Sequence, residues 1–154
     1  MGAGEEASGG LPSTWESEVH RWAQGFARAV RDVDYAHGRD YFAPDVVSCG
    51  TRSDVLEGLD DLEQRQWRGV WGNTRDFAFS TIRIVDWCLD GEAPVVVVLA
   101  EWRSTARGGD ERRREGRATL VLRSAARSAM GSRPALKCVH SHFSLRPTEW
   151  ADDT

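Results

Sequence analysis

Two of the four histidines stand one residue apart in His140-Ser141-His142-Phe143-Ser144, in an apolar segment that ends at Leu145. Side chains alternate along an extended strand, so His140 and His142 share one face while Ser141 and Phe143 share the other. Paired imidazoles invite a metal or acid–base reading. A catalytic zinc needs about three protein ligands and an open position, and no third His or Cys stands at motif spacing, so no metal is expected. The second candidate is Glu101, which interrupts the run Val95-Val96-Val97-Val98-Leu99-Ala100 just before Trp102. A carboxylate buried among apolar side chains has a raised pKa and can serve as an acid or base near neutrality. The alternative is an ion pair with Arg103, or with Arg117 on a neighbouring strand. Cys49 is a nucleophile only if something lowers its pKa, and with no partner evident it reads as a small buried hydrophobe. Arg112-Arg113-Arg114 follows Asp110-Glu111 and precedes Glu115. The local charge largely cancels, so a solvated hairpin tip is expected rather than a phosphate or nucleic-acid patch.

These residues need a scaffold, and 154 residues suffice for one domain with a real core. A net charge of −4 gives no general attraction to nucleic acid or to an anionic membrane surface. The longest apolar run, Pro94 to Ala100, is too short to span a bilayer. Cys49, Cys88 and Cys138 are widely spaced and form no CxxC pair, which argues for a reducing, cytoplasmic setting. No cofactor is expected. Residues 1–12 read as a disordered leader without signal-peptide character, 13–147 as one domain and 148–154 as a flexible tail.

Ser13 and Glu16 form a capping-box pattern ahead of a helix from about Thr14 to Val33, with Trp15, Val19, Trp22, Phe26, Ala29 or Val30, and Val33 in one apolar stripe. A second, short helix is expected over Tyr35 to Phe42, stopped by Pro44. A short strand follows from Val46 to Thr51, and then a third helix from Leu59 to Trp71, ended by Gly72-Asn73. The rest reads as sheet. The alternation of Phe77 and Phe79 slips phase near Ser80-Thr81, which predicts a bulge. Asp90-Gly91 marks a hairpin, and strands follow over Val95 to Thr105, Gly116 to Arg123 and Ala135 to Leu145. Gly108-Gly109-Asp110 turns the chain between the first two of these, and Ser124 to Pro134 is a loop. Helices first and a bent antiparallel sheet afterwards define an α+β chain.

Two stretches then resemble a known family: Asp54-Val55-Leu56-Glu57-Gly58-Leu59-Asp60 with the helix running to Trp71, and Val139-His140-Ser141-His142 with Phe143-Ser144. With the order of elements between them, they are similar to the nuclear transport factor 2-like superfamily in its SnoaL-like branch. Within it, they most resemble the association domain of calcium/calmodulin-dependent protein kinase II. The resemblance spans Trp15 to Pro147. It implies a cone, with N-terminal helices packed in a strongly curved sheet, a pocket inside and pairing into a homodimer through the convex face. Some members isomerise, dehydrate or close polyketide rings, whereas others only bind or oligomerise, and a shared fold does not choose among them. The kinase association domains send arginines into the pocket from three strands; the aligned positions here hold Glu101, Leu120 and Phe143, so an anion pocket of that type is not expected. Where isomerase-like members place a general-base Asp, this chain has Ser48 and Cys49.

On this resemblance Leu120 and Phe143 face the cone, and alternation sends Ser141 and Val139 inward with them. His140 and His142 then face the dimer surface that the resemblance implies, where Trp102 is also expected, although a bulge would reverse this for His142 alone. Tyr35 and Tyr41, on the second helix, border the cavity or the surface. Trp67 and Trp71 line the pocket mouth or pack in the core, and Cys49 lies near them. The expected function is a small-molecule-binding domain with a largely apolar pocket for an organic ligand. The alternative is a cofactor-free isomerase, dehydratase or cyclase using Glu101 as its acid or base.

Overall fold

The computed structural model describes residues 10–91, 93–108, 112–124 and 134–147. Most of the expected leader, the 124–134 loop and the tail therefore lie outside the described residues. Leu11 is buried in the core and Pro12 caps the first helix, so the packed chain already includes residues assigned to the leader.

Helix α1 (Ser13–Asp32) buries Val19, Trp22, Phe26, Ala29 and Val30 of the expected stripe, with Ala23 and Ala27 beside them, while Trp15 is only half-buried and Val33, past the helix end, is exposed. The expected capping box does not form. Pro12 is the N-cap and makes no side-chain cap, because Ser13 is already inside the first turn. The helix ends where Val33 takes a left-handed conformation with φ 53°. Helix α2 (Tyr35–Arg39) is capped by the Asp34 carboxylate, which accepts from the His37 backbone N–H at 3.1 Å. It stops before the expected end. Strand β1 (Phe42–Cys49) starts at Phe42, and Pro44 lies within it rather than ending a helix. The β1 register is irregular between Phe42 and Val47, which is how a residue without an N–H is accommodated in a paired strand.

Strand β2 (Val55–Glu57) is a short edge strand paired with β1, which the residue spacing does not predict. Gly58 then turns the chain at φ 98°, with its N–H donated to the Val46 carbonyl at 2.7 Å. The expected third helix is not one regular helix. It runs as α3 (Leu59–Leu62), a π-helical turn (Glu63–Trp67), α4 (Arg68–Val70) and a 3-10 turn (Trp71–Asn73). The wider π turn brings residues five apart together. Glu63 accordingly accepts from Arg68 Nε and Nη2 at 2.9 and 2.6 Å, and from Arg39 Nη1 of α2 at 2.8 Å. Burial pushes the Glu63 carboxyl up, but the hydrogen bonds from Arg39 and Arg68, with their charges, hold it below the ordinary value.

Strands β3 (Thr74–Asp90), β4 (Ala93–Ala106), β5 (Arg112–Ser124) and β6 (Leu136–Leu145) complete a six-stranded sheet of order β2-β1-β6-β5-β4-β3. The Asp90-Gly91 hairpin pairs Asp90 with Ala93, and a register shift falls between Phe79 and Thr81, as the phase slip predicted. Two further shifts, at Arg75/Ala78 and Ile84/Asp86, bend the same strand. Every pairing is antiparallel except β1 with β6, which run parallel. The architecture is α+β, with the N-terminal helices packed on a curved sheet.

Strand parity positions the site. On β4, Pro94, Val96, Val98, Ala100, Trp102 and Ser104 are buried, so this series faces the helices. Their β5 partners in register are Leu122, Leu120, Ala118, Gly116 and Arg114. On β6 an extra residue, Val139, stands between the Cys138–Leu122 and His140–Val121 pairs. The core face is therefore Leu136 and Cys138 before that irregularity, and Ser141 and Phe143 after it. Val139 is not in the inward series expected for it, because the bulge resets the phase. Burial pushes the Cys138 thiol up to about 12, which makes it an inert core group.

Candidate functional site

The inward faces of β1, β3, β4, β5 and β6, with α1 and the π-containing helix, enclose a cavity in which aromatic side chains form much of the wall. Phe26, Phe42, Trp67, Trp71, Phe77, Trp102 and Phe143 line it. Trp67 and Trp71 stack on each other at 4.5 Å, an approach set by the helical run that carries both. Gly38 of α2 lets the pair sit close, since a Cβ there would meet Trp71 at 2.6 Å. About 70 Å³ is free for water centres, within about 630 Å³ of open space that extends to the mouth. The free volume is well below the ~300–1,000 Å³ of drug-sized ligand sites, which restricts any ligand held here to a small body.

Besides Gln66 and Thr74, the polar groups gather at two places. At the floor, Ser48 and Ser141 are each 2% exposed and share a hydrogen bond between their hydroxyls. They are register partners on the parallel β1–β6 pair, so each satisfies the other in a buried setting. Towards one wall, Ser104 of β4 and Arg114 of β5 are cross-strand partners facing inward. Arg114 Nη2 donates to Thr51 Oγ1 at 3.3 Å, and its guanidinium stands 5.9 Å from the Trp102 ring centre. Among the described residues no carboxylate pairs with it. Burial, followed by the like charges of Arg52 and Arg112, pulls its pKa down from the usual guanidinium value. An arginine nevertheless stays charged in a protein.

Of the residues expected to line the pocket, Cys49, Trp67, Trp71, Ser141 and Phe143 do so. Tyr35, Tyr41 and Leu120 do not line it. Tyr35 forms an outer layer behind Trp71, stacked at 5.3 Å and covered by Arg68 at 4.4 Å. Tyr41 packs against Gly25 of α1 and edge-on to His37, and Leu120 is core. Burial raises the Tyr41 hydroxyl's pKa, helped by Asp40 and opposed by Arg28.

Two expectations change more. Trp102 belongs to the buried series of β4, so it faces the cavity and not a partner; its Nε1 donates to the Arg117 carbonyl at 3.1 Å. Glu101, one residue earlier, points to the outer face. Its carboxylate accepts from Thr81 at 3.1 Å and stands 3.6 Å from Arg146, with 42% of the side chain exposed. It is neither buried nor at the cavity, and its ion-pair partner is Arg146 rather than Arg103 or Arg117. His140 and His142 also lie on the outer face. His140 Nδ1 is 2.8 Å from the Val47 carbonyl, and His142 is exposed. No group of His, Cys, Asp and Glu among the described residues is arranged to hold a metal ion.

Sequence reasoning missed Ser104 and Arg114. The signal was present: Leu120 was expected to face inward, and steps of two lead from it through Ala118 and Gly116 to Arg114.

This arrangement is the fold of the nuclear transport factor 2-like proteins. Similar solved structures include a proposed aromatic ring hydroxylase from Novosphingobium aromaticivorans, with TM-score 0.70 and 16% identity, covering 90% of this chain and 94% of that one. A proposed dehydratase of the NTF2-like family from Streptomyces avermitilis aligns with TM-score 0.67 and 18% identity, over 90% of this chain and all (100%) of that one. An NTF2-like superfamily protein from Salmonella enterica gives TM-score 0.65 and 17% identity, over 94% and 99%. At such identities the likeness speaks for fold alone. No protein-family model matches the sequence, and no curated protein matches it. No helix among the described residues is long and apolar enough to cross a membrane.

Proposed function

We propose that this chain is a SnoaL-like domain that binds a small, largely apolar organic ligand in the aromatic cavity. The observation that carries this reading is the cavity itself: seven aromatic rings around a floor of two paired serine hydroxyls. Such a surface removes apolar area from water and orients a ligand through few polar groups. The enzyme reading relied on Glu101, and that carboxylate lies across the sheet from the cavity. Binding without turnover is therefore the better-supported reading, and the names of the hydroxylase and dehydratase neighbours fit a small organic ligand equally well. Three cysteines without disulfide partners fit a cytoplasmic setting. Titration with indole and 2-naphthol, followed by ligand-observed NMR, should give saturable binding that Val70→Trp, which plugs the cavity from α4, removes. Absence of saturation, or binding unchanged by the plug, would discard the reading.

A second observation supports a homodimer. The outer sheet face carries Val97 and Leu99 of β4, Val121 of β5, Val47 of β1 and Val55 of β2, around His140 and His142. Val47 and Val55 are 38% and 52% exposed. A twofold contact through this face would cover them and the histidine pair. Light scattering at micromolar concentration should report the mass of two chains, and Val97→Arg should halve it. A monomeric wild type would refute the dimer.

A further inference from the structure

We infer that the cavity's ligand carries an anionic group, a carboxylate or its equivalent, which Arg114 binds. The inference rests on the small-molecule reading above and specifies its chemistry. Arg114 is half-buried, is the one charged residue that lines the chamber among the described residues, and has only the Thr51 hydroxyl and the Trp102 ring as partners there. Placing a guanidinium there removes water from a charge without supplying a counter-charge, an arrangement that costs stability unless something else pairs with it. The nearby charged groups deepen the need, since Arg52 and Arg112 add like charge.

The rest of the wall suits an anion. The Ser104 hydroxyl, beside Arg114 across the strands, is 4% exposed, lines the cavity and has no hydrogen-bond partner among the described residues. A guanidinium fork offers two parallel N–H donors to a carboxylate, and a hydroxyl beside it supplies a third. The ligand's apolar body would then lie against Trp102, Phe77 and Phe143. This arginine comes from a different place than the three positions, now Glu101, Leu120 and Phe143, at which the kinase association domains present theirs. The expectation against an anion pocket of the kinase type concerns those three positions and does not bear on Arg114.

The test compares 3-phenylpropanoate with 3-phenylpropanamide, which share a shape and differ in charge, on the full chain and on Arg114→Gln by calorimetry. The acid should bind wild type at least tenfold more tightly than the amide, as expected for a charge-assisted pair. Arg114→Gln should bring the acid to the amide's affinity and leave the amide within about twofold. Wild type alone also decides the matter if the variant does not fold, because raising salt from low to molar concentration should narrow the acid's advantage. Equal affinities, or an advantage for the amide, would overturn the anion site and leave the apolar cavity standing. Failure of both compounds, and of indole and 2-naphthol, would overturn both readings.

Discussion

Trp22→Ala is expected to lower unfolding free energy by about 3–5 kcal/mol, the range for deleting a large buried aromatic. Trp22 is 1% exposed and sits where α1 meets the rest of the fold. Its ring touches Phe26 at 5.3 Å, Phe42 at 5.7 Å and Tyr41 at 6.0 Å. Its Nε1 donates to the Tyr41 carbonyl at 2.9 Å, and the same carbonyl accepts the Cys138 N–H from β6 at 2.9 Å. One side chain thus holds α1, the start of β1 and β6 together, and no neighbour can collapse into its place without moving an element. Guanidinium unfolding followed by far-ultraviolet circular dichroism would show a lower midpoint at unchanged slope. Because a domain of this kind has only ~5–15 kcal/mol in total, Trp22→Phe serves as the milder variant. It should lose less, mainly the hydrogen bond and part of the ring. A Trp22→Ala loss below about 1 kcal/mol would show that the junction is held elsewhere.

The second large effect is at Gly116. A Cβ there would lie 2.0 Å from the Ser144 carbonyl oxygen and 2.5 Å from Trp102 Cζ2. The carbonyl is backbone of a paired strand, and the indole is tethered by its bond to the Arg117 carbonyl. Neither can yield cheaply. Gly116→Ala should therefore cost about 1–3 kcal/mol by overpacking, despite the usual gain from replacing glycine in a strand. Adding Trp102→Leu should recover part of the loss, and a double-mutant cycle would read that coupling. An alanine variant as stable as wild type would mean that the strands separate there freely.

Much of this fold was legible before any coordinates. The stripe on α1, the phase slip at Ser80-Thr81 and the Asp90-Gly91 hairpin each have a local physical cause, so sequence spacing exposes them. Other features have causes that spacing does not carry. Residues 94–100 are apolar at every position, so nothing in the run separates its faces, and the parity that sends Glu101 out and Trp102 in appears only through pairing with Leu120 and Ala118 on β5. The bulge at Val139 is hidden likewise, among neighbours that suit either face. Pro44 looked like a helix stop, yet an irregular register absorbs it. Arg114 was obscured for a different reason: a charge count along the chain cancels it against Glu115, whereas alternation puts these two on opposite faces.

The parallel pairing of β1 with β6 also bears on how the site comes into being. Ser48 and Ser141 are 93 residues apart in the chain, so the contact that forms the cavity floor closes a loop spanning most of the fold. Contacts at such separation carry a large chain-entropy cost and slow the folding of the topologies that contain them. The meander from β3 to β5 can assemble from neighbouring segments, but the floor cannot. A nascent or partly unfolded chain in which β6 has not docked possesses most of its sheet and no enclosed cavity, so the cavity is among the last features that folding completes.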